Sequence, residues 1–160
     1  MVQLVENKRV NVQEEEIVVF SLAGKEYGIN VKYVTSIEKI TFITRVPNTK
    51  PYIKGVMNLR GIIVPVIDLR TRFGLEETHY TEKSRILIIS FEDITVGLIV
   101  DAANDVIKIT ESNVEAQPEV IGVEKQNYIQ GVVHLQDRLI ILLHLHKILN
   151  LSGEHDEHEA

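Results

Sequence analysis

The chain has no cysteine and no tryptophan. It therefore offers no disulfide framework, no thiol nucleophile and no thiolate metal site. Alanine, the strongest helix former, occurs 5 times against 21 Ile and 20 Val, which argues against a helical protein. Basic residues are outnumbered, 17 Lys and Arg against 23 Asp and Glu, for a formal charge of −6. That sign is wrong for the basic footprint of a nucleic-acid binder. The longest apolar runs, such as Leu139–Leu143, are far too short to cross a bilayer as a helix. Residues Met1–Arg9 contain no hydrophobic signal core, so a cytoplasmic location without membrane insertion is expected.

What is abundant is branching at Cβ, which restricts χ1 and suits a pleated surface. An all-β fold with short helices is expected. The 160 residues suit one ordinary domain, or two very small ones sharing a core. Residues 1–14 read as a flexible arm, and residues 152–160 as a disordered acidic tail. Four of the acids and no Lys or Arg lie in that tail, which leaves about −2 on the remainder.

Between these ends the chain repeats itself. Ile17–Leu22 and Tyr27–Ile29 fall onto Ile86–Phe91 and Val96–Leu98 at an ungapped offset of 69, and Ile37 and Ile40 onto Val106 and Ile109. Ile53–Leu59 and Ile63–Leu69 fall onto Ile129–Leu135 and Leu139–Leu145 at an offset of 76. Gly28 with Gly97, and Gly55 with Gly131, coincide where strands bend or pack closely. Two structural copies are expected, 15–75 and 84–151, joined by a linker over 76–83.

Each copy reads as a strand (16–22; 85–91), a tight turn, a partner strand (25–30; 94–100) and a helical turn (31–35; 101–104). A third strand (36–41; 105–110) and an irregular loop follow. A hairpin (54–59 with 62–68; 129–134 with 138–144) and a short helix (69–73; 145–150) end the copy. Five short apolar strands per copy predict a small closed barrel, which also removes sticky edges. Strands apolar on both sides predict that the two barrels lean on each other.

A search for chemistry finds no catalytic constellation. No phosphate-binding glycine loop and no nucleophile elbow occur. Asp68 and Asp101, each after an apolar strand, read as N-caps of short helices. His134, His144 and His146 are the alternative, a histidine-based metal site, but no carboxylates accompany them on both strands. His155 and His158 sit in the tail, which cannot fix ligand geometry. The expectation is no enzyme, no cofactor and no metal. What remains is surface. Arg60 sits in the turn Asn58-Leu59-Arg60-Gly61, whose counterpart is Gln136-Asp137, so the duplication does not require it. An Arg held on a rigid hairpin beside apolar surface suits a contact site.

Tyr27-Gly28-Ile29, the stretch from Ile53 to Arg70 (Ile-Lys-Gly-Val-Met-Asn-Leu-Arg-Gly-Ile-Ile-Val-Pro-Val-Ile-Asp-Leu-Arg), Val96–Asp101 and Gly131-Val132 together resemble the CheW family of bacterial chemotaxis coupling proteins. The resemblance implies two five-stranded Src-homology-3-like barrels with short connecting helices and a short C-terminal helix. It implies an adaptor that links the cytoplasmic tip of transmembrane chemoreceptors to the regulatory domain of the CheA histidine kinase, within arrays at the inner face of the cell membrane. The positions matching the family's receptor contact, a groove between the barrels, are Val34, Gly55, Arg60, Ala103 and Val106. Ser36 replaces an acidic residue of some relatives, with Glu38 two positions on. Glu115 and Val120 match a loop used for a second kinase contact. A scaffold for a kinase outside chemotaxis is the alternative within the same resemblance.

Overall fold

The computed structural model describes residues 14–116 and 128–149. The expected arm, except Glu14, the acidic tail and Val120 lie outside those residues. Eleven strands are described: β1 (Glu14–Leu22), β2 (Lys25–Asn30), β3 (Val34–Lys39), β4 (Ile53–Leu59), β5 (Ile62–Asp68), β6 (Arg85–Phe91), β7 (Ile94–Val100), β8 (Ala102–Thr110), β9 (Val114–Ala116), β10 (Ile129–Leu135) and β11 (Arg138–Leu143). Two one-turn helices, α1 (Leu69–Arg72) and α2 (Leu145–Ile148), follow β5 and β11.

The strands form two sheets, one in the order β8-β1-β2-β11-β10-β9 (barrel A) and one in the order β3-β6-β7-β5-β4 (barrel B). Both barrels are Src-homology-3-like, and the all-β expectation holds. The expected barrel boundaries do not. Each barrel takes its first two strands from one copy and its remaining strands from the other. Thus β1 pairs with β8, and β6 pairs with β3. The two parallel pairs, β5 with β7 and β11 with β2, also cross between copies.

The local reason lies in the connections. Hairpins reverse where residues accept positive φ: Ala23-Gly24, Arg60-Gly61, Glu92-Asp93 and Gln136. The link from β2 to β3 has no such residue. Its 3-10 turn, Val31–Tyr33, runs between Asn30 (φ −56°) and Val34 (φ −98°). The chain therefore carries on into the other sheet instead of folding back.

The internal symmetry reaches individual bulges. Thr35 on β3 and Asn104 on β8 are both skipped by the strand register. So are Lys54 on β4 and Gln130 on β10. Each pair keeps its sequence offset of 69 or 76. Two expectations from the repeat are corrected. Residues 102–104 belong to β8 and are not helical, because Ala102 and Ala103 already pair with Ser21 and Phe20 of β1. The loop after β8 contains a further short strand, β9, which pairs with β10 through Gly131↔Ala116. Barrel B has only the isolated bridge Thr44↔Val56 at the corresponding place.

Alternation along the strands produces three cores. Ile17, Val19, Val133 and Ile140 point into barrel A, and Val64, Val66, Ile86 and Ile88 into barrel B. The opposite faces, including Phe20, Leu22, Leu87 and Ile89, join α1 and α2 in the largest cluster, between the barrels. Burial of about 1.5–3 kcal/mol per large side chain makes this shared layer, and not either small barrel alone, the main stabilising contact.

Arginines tie the layer together. The Arg72 guanidinium stacks over Tyr52 at 4.3 Å and Tyr128 at 5.0 Å. It also donates to the carbonyls of Ile148 (2.8 Å) and Lys147 (3.1 Å), capping the end of α2. Asp68 caps α1 as expected, accepting from the Arg70 and Thr71 amides at 3.0 and 3.4 Å. Asp101 does not cap a helix. It accepts from the Ala23 amide at 2.9 Å and takes both prongs of Arg70 at 2.9 and 2.7 Å. Burial alone would raise its pKa. The Arg70 hydrogen bonds, the Ala23 amide and the charge of Arg70 outweigh this and hold it below the usual range.

Candidate functional site

The β4–β5 turn places Arg60. Its φ of 52°, with 91° at Gly61, sets a two-residue hairpin, and Asn58 Oδ1 closes it by accepting from the Gly61 amide at 2.7 Å. The Arg60 side chain is 69% exposed, and its Nη2 meets Glu38 Oε2, on β3, at 3.1 Å. The Glu38 carboxyl is held below its usual range, first by the neighbouring Ser36 hydroxyl and then by Arg60. The buried Ser36 hydroxyl reaches no partner in hydrogen-bonding geometry, so its effect is electrostatic and Arg60 supplies the direct bond. A pair this exposed contributes only about 0–1 kcal/mol, so it orients side chains more than it holds the fold.

Apolar surface adjoins the pair. Ile37 beside Glu38 is 43% exposed, and Ile62 and Ile63 after the turn are 62% exposed each. Val34, also on β3, is half-buried against the inter-barrel layer. Ala103 is half-buried and Val106 is 51% exposed, both on β8. Val34 and Ala103 are counterparts in the repeat, as are Ile37 and Val106. Of the receptor-matching residues, Val34, Ala103 and Val106 therefore occupy equivalent strands, β3 and β8, each at an edge of its own sheet, while Arg60 stands on the β4–β5 turn. Gly55 differs. It is buried on β4, and a Cβ there would overlap the Thr44 carbonyl, so it serves the fold and has no surface to offer.

Glu115, on β9, opens a second surface. Its Oε1 lies 3.3 Å from His134 Nε2, both side chains being exposed. They border a groove of about 650 Å³ on the outer face of barrel A, floored by Val132, Leu139 and Ile141 and rimmed by Arg138. His134 is thus an exposed strand residue. It pairs with Leu139 near the hairpin tip, whereas His144 follows the far end of β11, roughly 16 Å away along the strand. His144 and His146 stand close, with ring centroids 6.4 Å apart. Among the described residues no group of three or more His, Asp or Glu gathers as a metal site would require. Burial, then Lys147 and His146, push the His144 pKa down.

One constellation escaped the sequence reading: Arg138, Glu26 and Asp105, brought together from positions 112 and 33 residues apart. A charged residue beside a hairpin tip was the available signal, and it named no partner.

Residues 16–152 match the family described as CheW-like domain. This chain belongs to that family. The chemotaxis protein CheW of Bacillus subtilis (strain 168) is 46% identical over 136 residues, spanning 85% of this chain and 87% of that protein. CheW of Klebsiella aerogenes is 36% identical over 85% of this chain and 82% of that one. The crystal structure of the scaffolding protein TtCheW from Thermoanaerobacter tengcongensis superposes with a TM-score of 0.81 at 37% identity, covering 89% of this chain and 97% of that one. The chain is accordingly a CheW-type chemotaxis scaffold. No described helix is long and apolar enough to cross a membrane.

Proposed function

We propose that this scaffold links the cytoplasmic tips of transmembrane chemoreceptors to the CheA histidine kinase, controlling autophosphorylation by ternary-complex and array formation at the inner face of the membrane. The chain itself contributes contact surfaces and no catalysis. The observation that carries the reading is the position of Val34, Ala103 and Val106 on equivalent edge strands β3 and β8, with Arg60 anchored to Glu38 beside exposed Ile37 and Ile62. A helical tip would lay its apolar face along such surface, with the charged pair fixing its orientation. Glu115 and the barrel A groove supply a separate face for the kinase regulatory domain, and Val120 belongs to the same proposed contact. Two separate faces on one rigid body raise the effective concentration of kinase at receptor. Co-sedimentation with receptor-bearing vesicles tests this. Kinase should pellet only when receptor and this chain are both present. Capture of a kinase from outside chemotaxis in its place would favour the alternative scaffold.

A further inference from the structure

The bulge of β8 lies between Ala103 and Val106, and it is gripped in a way its counterpart is not. Asn104 Nδ2 donates to Ser21 Oγ and Glu26 Oε2, both at 2.9 Å. Glu26 also takes a two-pronged bond from Arg138 at 3.1 and 2.9 Å. The same guanidinium forks onto both oxygens of Asp105 at 3.2 Å each. Asn104, Glu26, Arg138 and Asp105 thus close a ring around the bulge. Strand order in barrel A is β8-β1-β2-β11, so Arg138 joins β11 to a strand three places away. In barrel B the positions matching Arg138, Glu26 and Asp105 are Ile62, Thr95 and Ser36, which cannot build such a ring. There the bulged Thr35 has a single bond, from its hydroxyl to the Ile88 carbonyl at 3.1 Å. The duplicated fold therefore forms without this network.

Arg138 faces two ways. Its guanidinium holds the β8 bulge, and the residue itself rims the groove that contains Glu115 and His134. We infer that Arg138 is a positioning residue that couples the β8 edge to the outer groove of barrel A, so that a partner docked on one face alters affinity at the other. This rests on the proposed receptor and kinase contacts. A shift of the bulge on docking moves Asp105, Asp105 draws the rigid guanidinium fork, and the fork carries the hairpin tip that shapes the groove.

The test is a binding cycle with the full chain. The kinase regulatory domain is titrated calorimetrically with and without a purified receptor-tip fragment, for the native chain, Asp105→Asn, Arg138→Gln and Arg138→Lys. The native ratio of the two dissociation constants should differ from one by at least about fivefold. It should collapse toward one in Asp105→Asn while each binary affinity persists. In Arg138→Gln the ratio should collapse as well, with a weaker kinase affinity because Arg138 rims the groove, and in Arg138→Lys, which keeps the charge without the fork, the ratio should fall part-way. Thermal melts in parallel establish that each variant is folded. A native ratio of one, or an unchanged ratio in a folded Asp105→Asn, overturns the inference while leaving the two contacts in place. Failure of the native chain to bind either partner overturns the adaptor reading, and this inference with it.

Discussion

The α-carbon of Gly55 lies against the carbonyl of Thr44, whose amide and carbonyl exchange hydrogen bonds of 2.8 Å with Val56. The same approach recurs at Gly131, where a Cβ would stand 2.7 Å from the Glu115 carbonyl. Both glycines follow a bulged residue, and both admit a neighbouring backbone that closes the barrel. Gly55→Ala should therefore destabilise the fold by about 2–4 kcal/mol, through overlap and a positive φ of 152°. Gly61→Ala, with open space around it, should cost about 1 kcal/mol from its turn conformation alone. Urea unfolding measures both. Loss of partner binding in Gly55 variants should track loss of fold.

Strand exchange makes the two sequence copies inseparable. A chain cut within the 76–83 linker should yield halves that do not fold alone, since each lacks at least two strands of both barrels. Mixed, the halves should recover native circular dichroism and a cooperative melt. Two independently folded halves would contradict the exchanged pairing.

Acid should act partly through Asp101. Its folded pKa is depressed, so its contribution is present above the ordinary carboxylate range and is lost as pH falls through its folded value. Asp101→Asn should lower the melting temperature at neutral pH and flatten the decline on the acid side of pH 4. Melts across pH 2–7 check this.

Arg60→Glu should leave the melting temperature within a few degrees, because the pair with Glu38 is exposed. It places two carboxylates side by side and should weaken receptor-tip binding roughly tenfold or more. Unchanged affinity in a titration would remove Arg60 from the contact. The double variant Arg60→Glu with Glu38→Arg should recover part of the loss.

Much of this was legible in the sequence, and the rest for identifiable reasons was not. The Ile and Val periodicity located the hairpins, and the paired offsets located the repeat down to the glycines. Asp68 after an apolar strand read correctly as a cap, because capping is a local interaction. Asp101 read the same way and was misplaced, because its partners Ala23 and Arg70 are distant in sequence. Strand exchange was hidden for a related reason. With two matched copies, β3 fits β6 and β1 equally well by pattern, and the links from β2 to β3 and from β7 to β8, where the chain passes between sheets, decide. Arg60 and Glu38 were singled out separately, but their 3.1 Å contact needed the fold. The ring around Asn104 involves residues from three strands and had no local signature.

The most direct test of the account is reconstitution of kinase autophosphorylation from purified CheA, receptor-bearing membranes and this chain. Receptor-dependent kinase activity should appear only when the chain is present, and should be lost with Arg60→Glu at unchanged protein stability. Full receptor control of the kinase without the chain, or none with it, would contradict the adaptor role.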